Sequence, residues 1–93
     1  MRHVVNLTRF EKDLRLMHKR GKDLDKLRAV VLLLANDDPL EPRHRDHPLS
    51  GRYQGRRECH IEPDWLLIYR LDEWNNTPEL ILERTGAHAD LFR

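Results

Sequence analysis

Apolar positions in the first third of the chain recur every three or four residues. Phe10, Leu14 and Met17 fall on one helical face, and Leu24, Leu27, Val31 and Leu34 make a second stripe that leaves Asp25, Lys26 and Arg28 in water. A first helix is predicted over about residues 9–20, opened by Thr8 and Glu11 in the form of a capping box. A second follows from an Asp23 cap to Asn36-Asp37-Asp38-Pro39, where proline ends the hydrogen-bond ladder. Gly21-Lys22 is short enough to make the two helices an antiparallel pair. Ahead of them, His3-Val4-Val5-Asn6 reads as a first or edge strand. Behind them, Pro39, Pro42, Pro48, Gly51 and Gly55 predict a long irregular loop. Three strands then follow over about 56–61, 65–71 and 79–85, joined by Glu62-Pro63-Asp64 and by a turn over 72–78 that contains Asn75-Asn76. The order β-α-α-β-β-β makes an α+β fold, two helices on a small, mainly antiparallel sheet.

That order has a consequence for the polar residues. The middle strand of a meander runs against both neighbours, so its start lies beside the ends of the other two. Trp65 therefore sits near Ile61 and near Thr85, and His60, Asp64, Arg84 and Gly86-Ala87-His88 gather at one end of the sheet. The outer strands are about 10 Å apart across the middle one, a gap that a phosphodiester can bridge. Whether His60 and Arg84 share a face is left open, because a slip of one residue exchanges the faces. Residues after Thr85 have no strand to hold them.

Composition narrows the class. The chain has 93 residues, 35% of them charged, a mean hydropathy of -0.79 and a net charge of +1. One domain over 1–93 with a thin core and an ionic surface is expected. The longest apolar run, Val30 to Ala35, is far shorter than a membrane span, and the lone Cys59 suits a reducing compartment; a cytoplasmic protein is expected. Bulk charge does not mark a nucleic-acid binder, but its distribution does more. Arg43, Arg45, Arg52, Arg56 and Arg57 face a single acid, Asp46, within one stretch, and this fits a phosphate-bearing partner as well as a solvated surface.

Cleaving RNA without a metal needs a base for the 2'-hydroxyl proton, an acid for the leaving 5'-oxygen and a cation for the crowded phosphorane. Histidine suits the first two because both protonation states are populated near neutrality. Arginine suits the third through its planar fork. His47, His60, His88, Asp64 and Arg84 supply every part. Any one of these histidines alone is more often structural, Asp64 can cap a turn, Trp65 can be core, and Arg84 can pair with Glu83 or Glu58; their joint placement favours chemistry. A zinc site from His44 and His47 with Cys59-His60 is a weaker alternative, since its spacings are not those of paired zinc ligands.

Asp46-His47-Pro48-Leu49, Gly51, His60-Ile61-Glu62-Pro63-Asp64-Trp65, Tyr69 and Arg84-Thr85-Gly86-Ala87-His88 with Leu91-Phe92 resemble the YafQ-type toxins of the RelE superfamily. The match is close through the C-terminal half and one of pattern only through the helices. The resemblance implies the RelE-like fold and a toxin of a type II toxin-antitoxin system: an endoribonuclease that cleaves mRNA in the ribosomal A site, silenced by a cognate antitoxin of the DinJ/RelB-like kind. It places catalytic positions on His47, His60, Asp64 and His88 and a substrate contact on Phe92. Arg84, Arg56, Arg57 and Trp65 complete the expected substrate-binding set, and no cofactor or metal is expected. RelE itself relies on lysine and arginine where these relatives use histidine, so the histidines favour the YafQ branch. The rival is a ParE-like toxin that binds gyrase and needs no histidine chemistry. The stretch 72–78, with Trp74, departs from the family pattern.

Overall fold

The computed structural model describes residues 1–92; Arg93, the last residue of the expected domain 1–93, lies outside the described residues. Strand β1 (His3–Asn6) is the expected β-branched run. Helices α1 (Thr8–Lys19) and α2 (Leu24–Ala35) follow, and Asp23 caps the second by accepting a hydrogen bond from Asp25 N at 3.0 Å. The capping box expected at Thr8 does not form. Leu7 N donates to Leu82 O at 3.1 Å, which keeps Leu7 extended against the sheet as the N-cap and makes Thr8 the first helical residue.

The proline-rich stretch is more ordered than expected. Pro42–His44 and Gly51–Tyr53 are single 3-10 turns, and between them His47–Pro48 forms a two-residue strand, β2, antiparallel to β3 (Arg57–Glu62). Proline lacks the N–H a central ladder needs, and β2 tolerates it as an edge strand. Strands β4 (Trp65–Trp74) and β5 (Thr77–Gly86) run longer than expected, because the turn shrinks to Asn75 and Asn76 at φ 51° and 64°. Two-residue hairpin turns that follow the twist of their strands need positive φ at both positions, and asparagine enters that region at lower cost than most residues. The expectation of an unsupported tail is also corrected: β5 continues to Gly86, and His88–Leu91 makes one helical turn, α3.

The sheet order is β1-β5-β4-β3-β2, with β1 parallel to β5 and every other pair antiparallel. Successive side chains of a strand point to opposite faces. Cys59, Ile61, Trp65, Leu67, Tyr69, Leu80 and Leu82 meet Phe10, Met17, Leu27, Val30 and Leu34 on the helix side. On the other face Leu66 and Ile68 join Leu91, with Leu49 and Tyr53 packed at the margin. Both faces of β4 are thus covered, which is why its first half is a continuous apolar run rather than an alternating one. Among the described residues no helix is long and apolar enough to cross a membrane.

Beyond Leu82 strand β1 has ended, and α1 takes over the edge of β5. Asp13 accepts hydrogen bonds from Thr85 N at 3.1 Å and from Arg84 Nε at 2.7 Å. Arg20 grips Asp90 of α3 through two bonds of 2.7 and 3.1 Å. At the join, a Cβ on Gly86 would lie 3.0 Å from Asp90 Oδ2, so the residue leading into α3 has little room for a side chain.

Candidate active site

Strand periodicity builds the site. In β3, Cys59 and Ile61 point into the helix-side core, so Glu58 and His60 occupy the other face. His47 lies directly opposite Glu58 across the β2–β3 pair and shares that face. The turn after β3 supplies Asp64, and α3 opens on His88. The His60 and His88 rings are 5.7 Å apart, His88 and Phe92 are 6.4 Å apart, and Phe92 meets Tyr53 edge-on at 5.6 Å.

Hydrogen bonds fix the ring tautomers. A carbonyl oxygen only accepts, so His60 Nδ1–H donates to Pro63 O at 3.2 Å and His47 Nδ1–H to Arg45 O at 2.5 Å. Asp64 Oδ1 accepts from both His88 N at 2.9 Å and His88 Nδ1 at 2.5 Å. The backbone N–H of His88, and then its ring, hold the Asp64 carboxyl below the usual carboxylate range. In each ring Nε2 is the nitrogen left for chemistry. For His60 that atom faces the buried Glu58 carboxylate at 3.3 Å.

A second layer holds these groups in place. His44 is buried and donates from Nδ1 to the backbone oxygen of His60 at 2.6 Å, pinning the strand that carries the site. Tyr69 O–H donates to Asp46, next to His47, and Arg57 joins the same network through Tyr69 OH at 3.3 Å. Burial, and then that bond to Asp46, push the Tyr69 phenol well above its ordinary value, so it stays a donor. Trp65 Nε1 donates to Thr85 Oγ1 at 2.9 Å, and the Thr85 hydroxyl in turn donates to Leu66 O at 2.7 Å.

Residues 2–93 match the family described as the YafQ bacterial toxin of type II toxin-antitoxin systems. The chain belongs to the YafQ family. It is 47% identical to the mRNA interferase toxin YafQ of Escherichia coli K12 over 85 residues, 89% of this chain and 87% of that protein. Among solved YafQ-family structures, the toxin of the E. coli DinJ-YafQ toxin-antitoxin complex superposes with a TM-score of 0.87 at 43% identity, covering 99% of this chain and 98% of that one. A metal-bound toxin from Helicobacter pylori gives a TM-score of 0.90 at 42% identity, covering 99% and 100%.

Of the YafQ-type residues expected from sequence, His60, Asp64, His88 and Phe92 come together, and His47 joins them across the β2–β3 pair. Arg84 shares their face through its pairing with Ile68, which resolves the open register. Its guanidinium is bound to Asp13, not to Glu83 or Glu58, and it lines a cleft of about 280 Å³ with Arg9, Arg52, Tyr53, Arg56 and Glu83. Two substrate contacts are corrected. Trp65 is 0% exposed in the helix-side core, out of reach of RNA. Arg57 pairs opposite Tyr69 and so points to the helix side, where its bonds go to Tyr69 and Asp46. The zinc alternative fails as drawn: Cys59 is 0% exposed on the far face, burial pushes its thiol up, and His44 is turned to a backbone carbonyl. Sequence reasoning missed Glu58, which sits two residues before His60 and hence on its face, and Tyr53, whose place against Phe92 has no local signal.

Proposed function

We propose that this chain is the toxin of a type II toxin-antitoxin pair and an endoribonuclease that cleaves mRNA in the ribosomal A site by metal-independent acid-base chemistry. The observation that carries the reading is the His60–His88 pair, with Asp64 on Nδ1 of His88 and His47 on the same face. One Nε2 takes the 2'-hydroxyl proton, and a protonated ring on the other side of the phosphate delivers a proton to the leaving 5'-oxygen. The arrangement of Asp64 and His88 is that of a carboxylate orienting an imidazole for proton transfer. The arginine-lined cleft beside Tyr53 supplies positive charge to the phosphates, and Phe92 offers a stacking face for a base. A gyrase-blocking toxin has no use for several titratable rings gathered on one face.

The antitoxin partner follows from the family, and an apolar cleft of about 340 Å³ between β1 and the two helices, lined by Val4, Phe10, Leu24, Leu27, Val31 and Leu32, suits one of its helices. Ribosome, mRNA and a cytoplasmic setting complete the reading. Primer extension on an mRNA translated in the presence of the chain tests it. Cuts within codons, dependent on ribosomes, with 2',3'-cyclic or 3'-phosphate ends and undiminished by chelator, are expected; intact mRNA with damaged DNA would move the reading to the gyrase class.

A further inference from the structure

We propose that the cavity between α2, the Pro42–His44 turn and the end of β3 is a binding site for a compact, uncharged small molecule with an apolar ring and one N–H or O–H donor, and that its occupant steadies His60. The cavity holds about 640 Å³, inside the range of about 300–1,000 Å³ in which small-molecule sites fall. Val30 and Leu33 of α2 supply apolar wall, as do Ile61 and Pro63 from the sheet. His44 supplies the polar group. It is 7% exposed, and its Nδ1–H donates to His60 O at 2.6 Å, which leaves Nε2 as a lone-pair acceptor. Among the described residues that Nε2 has no partner, and no fully buried side-chain nitrogen goes unpaired, so it opens onto the cavity that the ring lines.

An acceptor at that depth favours a ligand that brings a donor. Charge sets the rest of the class. At the rim Lys26 meets Glu62 at 2.9 Å and Arg43 meets Glu41 at 3.2 Å, so each cation already has its carboxylate and an ionic ligand finds no uncompensated charge. The same walls back the reactive face. His44 holds the carbonyl of His60, and Pro63, whose own carbonyl takes His60 Nδ1–H at 3.2 Å, lines the cavity. A ligand that fits these walls favours the conformation that has them. A donor placed on His44 Nε2 also strengthens the bond from Nδ1–H to His60 O, because hydrogen bonds in a chain polarise one another. Occupancy thus holds both anchors of His60 without contact with its ring. The site stands apart from the nuclease reading, since nothing in it requires RNA.

The test uses the purified, ¹⁵N-labelled full chain, titrated with indole and followed by nuclear magnetic resonance of amide and histidine-ring nitrogens. Saturable shifts are expected at His44 Nε2 and at the amides of residues 29–33 and 61–62, with a dissociation constant of about 1 mM for a probe of this size. 1-Methylindole keeps the ring and lacks the donor, and it should bind about 5-fold more weakly. His44→Phe should bind both probes alike. Should that variant not fold, Leu33→Trp fills the cavity from α2 with His44 intact, and indole should no longer shift His44. In the wild type the His60 ring nitrogens should follow the same binding curve. Absence of a saturable shift at His44, or equal affinity for the two probes, overturns the site. Shifts at His44 with His60 unmoved overturn the coupling. N-acetyltryptophanamide presents the same ring on a peptide; if it binds more tightly than indole by about 10-fold or more, the small-molecule assignment is overturned and the cavity belongs to a side chain of a partner protein. Primer extension decides the nuclease reading separately, so the two can fail independently.

Discussion

The two faces of the sheet are built to different ends. On the helix side, Trp65, Leu67 and Tyr69 of β4 pack into a layer completed by Phe10, Met17, Leu27 and Leu34. The other face has a small apolar patch of Leu66, Ile68 and Leu91, and around it lie histidines, carboxylates and arginines held by specific hydrogen bonds. The main apolar core lies on one face and the proposed chemistry on the other, so stability and cleavage should respond to different substitutions.

The largest effect that separates them is on rate. His47→Ala and His88→Ala, at exposed side chains, should each lower cleavage by about 100- to 10,000-fold. Their melting temperatures should stay within a few degrees of wild type, and a gel-based rate assay beside thermal denaturation checks both. Full activity in a folded double variant would remove the catalytic reading of this face. The converse substitution is Trp65→Ala, expected to cost about 3–5 kcal/mol in urea unfolding. A domain of this size has only about 5–15 kcal/mol in total, so the variant should approach unfolding; a loss below about 1 kcal/mol would show that the helix side is not the stabilising one.

Glu83 sharpens the contrast, being a stabilising group on the chemical face. Burial raises its carboxyl, but hydrogen bonds from Arg56 and Arg70 outweigh that and hold it below the usual glutamate range. A carboxyl whose folded value is depressed stabilises fully above its unfolded value and loses that contribution as pH falls through the folded one. The melting temperature should therefore drop on acidification below the ordinary glutamate value of about 4.3. Glu83→Gln should flatten that limb and cost about 1–3 kcal/mol at neutral pH. An unchanged acid limb in the variant would assign acid lability to other carboxyls.

The smallest effect concerns two adjacent arginines. Arg56 lines the cleft beside Tyr53, whereas Arg57 faces Tyr69 and Asp46. Arg56→Ala should lower the slope of log affinity for RNA against log salt by about 1, and Arg57→Ala should leave it alone. Equal slopes in the two variants would mean that the faces are not separated at this edge.

How far the sequence shows all this depends on whether a signal is local. Helical stripes and the β-branched first strand are local, and they survive in the structure. The continuous apolar run after Asp64 carries no preference for a face, so Trp65 was open to either reading until its hydrogen bond to Thr85 placed it. Likewise, the register shift opposite Ile68 and Tyr69 sets Glu83 outside the regular pairing, and no residue type announces it. Asp13 reads as an ordinary wet position of an amphipathic helix, and its role appears only when α1 lies against β5. That His60, Asp64 and His88 meet was legible from their places at the strand ends; Glu58 was legible in principle from its spacing alone.

The ties from α1 also bear on the order in which the molecule forms. The β4–β5 hairpin closes over a two-residue turn, a short search for the chain. By contrast Asp13 finds Arg84, and Arg20 finds Asp90, across sequence separations of 71 and 70 residues. Contacts so distant require large loops to close and are slow to form. Helix α3, a single turn with no stability of its own, settles only after that closure. A refolding chain therefore builds its hairpin early and acquires its reactive arrangement last, with regain of cleavage lagging the return of sheet signal in a stopped-flow trace.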